Sequence, residues 1–219
     1  MTSSRGGKRR RRPILIPAAI AIAAAGLGVT ALLGGLQEAP EKPPPEVAPG
    51  KIIDQGRFST QFIKAIDTTE QDRYGTPKRS LQLVLKVKNV SNETAPVGGI
   101  PKPDAKPSMG FGEFASSLLR IAPEIKSEYG PSVYVLSYGV QSRQLHPGIT
   151  TTVVVKYDLK PTDPAPSEIT IDVGSFVYEE IGLRDKTRQW RLAGELDDEE
   201  FTPTVAARIT LPVRQEQGQ

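Results

Sequence analysis

Apolar and polar side chains alternate with a period of two along most of the chain after residue 57. The clearest segment is 80–90, where Leu81, Leu83 and Leu85 share one face and polar residues share the other. After residue 50, no stretch of ten residues has the 3.6-residue period of an amphipathic helix. The other alternating segments, each predicted to be a strand, are 58–66, 117–122, 133–138, 153–157, 169–173 and 205–211.

The number and spacing of these segments predict an all-β domain. Residues that favour turns separate the strands, as in the proline-rich run 161–166. About seven strands, each apolar on one face, are typical of two antiparallel sheets packed face to face. The predicted fold is therefore an antiparallel β-sandwich of about seven strands.

An uncharged stretch of a different kind precedes this domain at residues 13–36. As a helix, 24 residues would be about 36 Å long, enough to cross a hydrocarbon core of about 30 Å. Basic residues lie on its N-terminal side only, at Arg5 and 8–12, so the positive-inside rule places the N-terminus in the cytoplasm. We expect a single N-terminal transmembrane helix, with the C-terminal domain outside the cell membrane. A signal peptide cleaved after Ala31 is the alternative.

These patterns divide the chain into five parts. Residues 1–12 form a basic cytoplasmic tail and residues 13–36 form the membrane span. Residues 37–50 contain five prolines and predict a semi-rigid linker. Residues 51–213 form the β-sandwich domain, and 214–219 are expected to be a disordered tail.

Charge and cysteine content exclude several classes of function. The first twelve residues hold six of the 28 basic residues and no acid, whereas residues 51–219 hold 21 basic and 22 acidic residues. A nucleic-acid-binding domain needs a basic surface, so no nucleic-acid partner is expected. The chain has no cysteine, which excludes disulfides, thiolate metal sites and a cysteine nucleophile.

Four segments between residues 56 and 211 carry a resemblance to a known family: GRFSTQFIKAID, SLQLVLKVKNVSNETAPV, LHPGITTTVVVKYDL and SEITIDVGS. Their most specific parts are the strand end at 86–91 and the Leu-x-Pro-Gly turn at 145–148. In these parts the chain resembles the immunoglobulin-like extracellular domain grouped under DUF4352 and related membrane-anchored proteins of actinobacteria. The resemblance implies an immunoglobulin-like fold outside the membrane and brings no catalytic residues with it.

The residues that could carry chemistry are few. His146 is the single histidine and lies in a turn, without the ligands that zinc requires. The acidic run 197–200 lacks the spacing of a calcium loop, and the adjacent Glu179 and Glu180 would point to opposite faces of a strand. The sequon Asn89-Val90-Ser91 is interpreted as a turn. We therefore expect no catalytic residues, no metal site and no cofactor.

Two long loops, 97–114 and 178–204, contain aromatic residues that could bind a partner. The candidate partner-binding residues are Trp190, Phe111 and Phe114. Core packing is the alternative for these rings and for the other aromatic residues, Tyr134, Tyr138 and Tyr178.

The resulting hypothesis is a non-enzymatic, single-pass membrane protein whose outer domain recognises another envelope protein or a polymer. An accessory structural subunit of an envelope assembly and a carboxylate-based cell-wall hydrolase are the alternatives. The oligomeric state stays open.

Overall fold

The computed structural model describes residues 43–71, 74–102, 105–127, 129–137, 139–182, 185–198 and 200–217. The compact unit begins at Pro44. The predicted basic tail, the predicted membrane span and the first six residues of the predicted linker lie outside the described residues, as does Tyr138. No helix among the described residues has the length and apolar character needed to cross a bilayer.

Strands dominate the described part of the chain, which confirms the predicted all-β class. One short 3-10 turn, Phe114–Ser117, interrupts them. The strands are β1 (Ile52–Asp54), β2 (Phe58–Gln71), β3 (Pro77–Asn89), β4 (Ala95–Pro96), β5 (Leu118–Ala122), β6 (Ser132–Ser137), β7 (Val140–Ser142), β8 (Gln144–Leu145), β9 (Thr150–Leu159), β10 (Glu168–Gly174), β11 (Phe176–Glu180), β12 (Arg188–Leu192), β13 (Gly194–Asp197), β14 (Glu200–Pro203) and β15 (Val205–Gln217).

The main strands follow one hydrogen-bonded order, β5-β10-β15-β2-β3-β9-β6-β7, with β1 paired to β2. β15 connects the two parts of this path, because it pairs with β10 on one side and with β2 on the other. Its first part is antiparallel to β10, and from Val213 onward it runs parallel to β2, beginning opposite Ala65. The change comes directly after Pro212, which has no N–H group for a sheet ladder. The outer end of the path therefore forms one layer, β5-β10-β15, and the remaining strands form the other.

The core lies between these two layers. The alternation predicted from the sequence is confirmed in β3, β9 and β10 and from Ala207 in β15, where the inward residues are buried in one continuous cluster. The largest come from both layers: Phe58, Phe62, Leu81, Leu83, Leu85, Ile169, Ile171, Ile209 and Leu211. In β2 the prediction is wrong after Phe62, because a bulge at Ile63 shifts the register and places Ala65, rather than Ile66, in the cluster. The arrangement is sandwich-like, as predicted. The strands outnumber the predicted seven, because the described residues add the short strands β1, β4, β7 and β8 and the local pairs β11 with β12 and β13 with β14.

The structure corrects both predicted borders of the domain. The backbone of Arg208 donates to the Pro45 carbonyl at 2.8 Å and accepts from the Val47 N–H at 2.8 Å, so the last part of the predicted linker belongs to the fold. Residues 214–217 are strand and not tail, because they pair with the edge of β2. Lys64 adds an ion pair to Glu216 at 2.7 Å. Both errors arise because these polar segments are ordered by strand edges distant in sequence.

The burial of Tyr157 predicts how the stability of the protein changes at alkaline pH. Its side chain is buried, and burial raises the pKa of Tyr157 to about 12. In the unfolded chain the phenol ionises near pH 10. The contribution of the neutral phenol to the free energy of unfolding is therefore complete below pH 10. It is lost as the pH rises from 10 toward 12, because only the unfolded state releases the proton in that range. We expect the free energy of unfolding to fall by roughly 2 kcal/mol at pH 12 from this group.

Chemical denaturation between pH 9 and pH 12 measures this effect. The Tyr157→Phe variant keeps the ring and removes the ionisable group, so its stability should fall less steeply over the same range. Parallel curves for the two proteins would contradict the assignment.

Candidate functional site

The β11–β12 hairpin leads from the core toward solvent. Phe176 pairs with Leu192, Tyr178 with Trp190 and Glu180 with Arg188, so these three pairs share one face. The first pair is buried, whereas Tyr178 is 41% exposed. The hairpin is thus rooted in the sandwich and presents its outer pairs beyond it.

Two neighbouring aromatic rings lie between two guanidinium groups along this face. The rings of Tyr178 and Trp190 lie 5.2 Å apart between centroids. Arg188 stacks 4.9 Å from the Tyr178 ring and donates a hydrogen bond to the Tyr178 carbonyl at 2.7 Å. Arg57 lies 6.0 Å from the Trp190 ring on the other side. Such stacking holds each group in place through cation–π attraction.

The described end of the 97–114 loop packs beside this hairpin. Leu192 donates its N–H to the Met109 carbonyl at 2.8 Å, and the Met109 sulfur contacts the Arg191 guanidinium. Arg57 Nη1 donates to the Gly112 carbonyl at 2.8 Å. The structure therefore brings together the two long loops singled out in the sequence. We call the surface formed by Arg57, residues 109–112, Tyr178, Arg188 and Trp190 the platform.

Arg57 is the buried support of the platform. Its side chain lies against the rings of Phe58 and Trp190, and the residue is only 5% exposed. Its Nε has no hydrogen-bond partner within the described chain. Burial lowers the pKa of Arg57, an effect opposed by the charge of Glu93. Because a buried cation is costly, its contacts to Gly112 and Trp190 indicate a positioning role for this arginine.

The three candidate binding residues have different surroundings. Phe111 is 81% exposed, and Trp190 is partly buried against the core. Phe114 is fully buried, with its ring edge-on to Phe58 at a centroid distance of 5.4 Å. The structure thus corrects the prediction for Phe114, whose side chain belongs to the core and is not available to a partner. Core packing, the alternative to partner binding, is therefore correct for Phe114, whereas Phe111 faces solvent.

Sequence reasoning missed Arg57 and Gly112. They are 55 positions apart, and although Arg57 lies in the segment GRFSTQFIKAID, no functional motif singles out either residue. Their pairing depends on how the loop folds back onto the sandwich. The one local signal is the glycine itself, because Gly112 has a φ of 71°, a backbone conformation that favours glycine.

Replacing Gly112 with alanine should therefore disturb the platform. A Cβ there would collide with Arg57 Nη1 and would lie 3.0 Å from the Trp190 carbonyl oxygen. We expect a loss of about 2–3 kcal/mol in the free energy of unfolding, from backbone strain and this collision together. Urea denaturation measures the loss, and hydrogen exchange shows whether residues 109–112 lose protection.

Gly130 offers a matched control. Its φ is 72°, but nothing lies within 4 Å of the position that a Cβ would take. Gly130→Ala should lower the free energy of unfolding by only about 1 kcal/mol, from backbone strain alone. Equal losses in the two variants would contradict the proposed packing of Gly112.

The histidine and carboxylates considered for catalysis or metal binding lie at separate places on the domain. His146 lies in an exposed turn, with Nδ1 3.2 Å from the Thr94 hydroxyl. Asp197 and Glu200 are paired across β13 and β14 at the surface. Over the described ranges, no group of three or more histidine, aspartate or glutamate side chains is placed to hold a metal ion. Elsewhere two carboxylates share one lysine, since Glu70 and Asp158 each have an oxygen 3.9 Å from Lys156 Nζ.

Two comparisons with known proteins do not assign this chain to a family. A scan against protein-family models found no match to this chain, and a search of curated proteins found no significant relative. The resemblance to DUF4352 domains therefore stays a prediction.

Proposed function

We propose that this protein is a non-enzymatic, single-pass membrane protein that displays its β-sandwich outside the cell membrane and binds another envelope protein through the platform. The observation that carries this proposal is the row Arg188, Tyr178, Trp190 and Arg57, held by the 109–112 segment. Aromatic and arginine side chains dominate the binding energy of protein interfaces. Side chains already fixed before binding lose less entropy in forming a complex.

The finer fold assignment belongs to the same proposal. An immunoglobulin-like sandwich is supported by the two layers, by their largely antiparallel pairing and by the resemblance in segments 56–67, 80–97, 145–159 and 167–175. Such a scaffold places loops at the ends of a rigid core, where binding residues are commonly found. The platform is built from loop and hairpin residues of this kind.

The membrane arrangement is tested by labelling with a membrane-impermeant maleimide. Because the chain has no cysteine, single-cysteine variants give an unambiguous signal. The Lys160→Cys variant should be labelled on intact, wall-stripped cells, since Lys160 is exposed in the outer domain. The Ser3→Cys variant should be labelled only after lysis. Labelling of the Ser3→Cys variant and not the Lys160→Cys variant on intact cells would reverse the proposed orientation.

Photocrosslinking in intact membranes tests the binding surface. A benzophenone amino acid in place of Tyr178 should give a discrete crosslinked protein. The same group in place of Ile149, which is 53% exposed and outside the platform, is the matched control. Phe111→Ser should reduce the yield of the crosslink at position 178. The proposal fails if positions 178 and 149 give the same products, or if neither gives one.

The accessory-subunit alternative makes a different prediction. It attributes assembly to the membrane span, so exchanging residues 13–36 for an unrelated span should abolish the crosslink. Recognition through the platform requires only that the domain stays at the membrane, so the crosslink should survive the exchange.

A further inference from the structure

A second surface, separate from the platform, is a shallow groove of about 580 Å³. It lies over the outward face of the layer that contains β2, β9 and β6. On β9, Lys156 and Asp158 line the groove, whereas the alternating Val155 and Tyr157 face the core. A smaller depression of about 370 Å³ shares Ser132, Val133 and Arg143 with it, so the two form one extended surface.

The charges of the groove are balanced. Glu70 and Asp158 flank Lys156, each with an oxygen 3.9 Å from Nζ, and Arg143 lines the wall shared with the smaller depression. Two carboxylates and two cations give no net charge, so the groove lacks the positive potential that binds phosphates or nucleic acid. Ser132, Gln141 and Ser142 add hydroxyl and amide groups. The lining therefore offers many donors and acceptors and little apolar surface.

Tyr134 supplies the aromatic surface of the groove. It is half-buried, and both its burial and the charges of Glu70 and Asp158 raise the pKa of its phenol. A tyrosine phenol is protonated at neutral pH with or without this shift, so the hydroxyl can donate a hydrogen bond there. Its ring offers an apolar face beside carboxylates, an amide and cations. This combination suits a ligand that carries hydroxyl groups at its edges and C–H groups on its faces.

We propose that this groove binds a neutral oligosaccharide. Sugar hydroxyls both donate and accept hydrogen bonds, which matches the mixed lining, and the C–H face of a pyranose ring stacks on an aromatic ring such as that of Tyr134. An extended peptide is the less suitable occupant. Peptides of that kind pair with the backbone of an edge strand. Residues 132–134 of β6 lie at such an edge, because β7 pairs only with residues 135–137. The side chains of Glu70, Lys156 and Asp158 extend the lining across β2 and β9, which one added strand would not cover. The groove does not depend on the platform.

The test uses the full chain in lipid nanodiscs, which avoid sugar-based detergents. Chitotriose, cellotriose and maltotriose are the saccharide probes, and trialanine is the peptide probe. We expect at least one trisaccharide to bind with a Kd below about 10 mM, measured by saturation-transfer NMR and calorimetry. Tyr134→Leu and Asp158→Asn should each weaken that binding at least about tenfold, because a ring face or a charged acceptor is lost.

Phe111→Ser is the matched control, because it removes an exposed ring outside the groove lining. It should leave saccharide binding unchanged, and the two groove variants should leave the crosslink at position 178 unchanged. Unfolding curves confirm that each variant is folded. The proposal is overturned if no trisaccharide binds, if trialanine alone binds, or if folded Tyr134→Leu and Asp158→Asn variants bind as the parent does.

Discussion

Replacing Gln55 with leucine is expected to lower the free energy of unfolding by about 4–5 kcal/mol. Gln55 is fully buried between β1 and β2. Its Nε2 donates to the Ser117 hydroxyl and to the Gly174 carbonyl, both at 2.8 Å, and its Oε1 accepts from the Thr60 hydroxyl. One side chain thus connects both layers of the sandwich and the 3-10 turn before β5.

The size of this effect follows from what leucine leaves behind. Leucine has a similar volume, so little cavity forms, but it cannot hydrogen-bond. The buried Gly174 carbonyl and Thr60 hydroxyl would lose their partner, and each unsatisfied polar group costs about 1–3 kcal/mol. Rearrangement around the lost Ser117 contact adds to the loss. Equilibrium denaturation in guanidinium chloride measures the sum.

Gln61 provides the control for this substitution. Its Nε2 also donates to a backbone carbonyl, that of Gly50 at 2.6 Å, but in an exposed setting. Water can replace that bond, so Gln61→Leu should cost less than about 1 kcal/mol. A Gln55→Leu protein no less stable than the Gln61→Leu protein would show that the buried network is not important for stability.

The second large effect is expected at Asn89, where Asn89→Ala should cost about 3–4 kcal/mol. Asn89 is fully buried at the end of β3. Its Nδ2 donates to the carbonyls of Leu145 and Glu93 at 2.8 and 2.7 Å, and its Oδ1 accepts from the N–H and hydroxyl of Ser91. The Asn89 carbonyl also accepts from the Gly148 N–H at 2.8 Å.

Asn92 lies in the same loop and is exposed, so Asn92→Ala should change stability by less than about 0.5 kcal/mol. In the Asn89→Ala variant, hydrogen exchange at Gly148 should accelerate, because the turn loses its attachment to the strand end. Denaturation curves and exchange rates together check the assignment. Equal stability of the two variants, or unchanged protection of Gly148, would contradict it.

The contacts of Asn89 explain two segments that stand out in the sequence. In the sequence, the strand end at 86–91 and the turn at 145–148 are separate features of the resemblance. In the structure they are two sides of one contact, joined by the asparagine side chain and a parallel bridge between Asn89 and Pro147. The strand ends at Asn89, as the interpretation of Asn89-Val90-Ser91 requires, and a bend at 91–93 follows it.

The candidate site shows the limit of sequence reasoning. Phe111 and Phe114 are aromatic residues three positions apart in a glycine-rich loop, yet one is exposed and the other is buried. A loop has no period that assigns faces to its residues, so the sequence could not distinguish them. Arg57 was not predicted, because its role depends on a tryptophan and a glycine distant in the chain.

The sequence by itself determined which residues face the core in the long, regular strands β3 and β9, but not in β2 beyond its bulge at Ile63. Side chains of a strand point alternately to opposite faces, so the positions of Leu81, Leu83 and Leu85 follow from local spacing alone. Only the tertiary structure decided which strands are neighbours, why β15 joins both layers, and how residues 45–47 and 214–217 become part of the fold. These features depend on backbone hydrogen bonds between distant segments, and the backbone groups that form them are the same whatever side chain each residue carries.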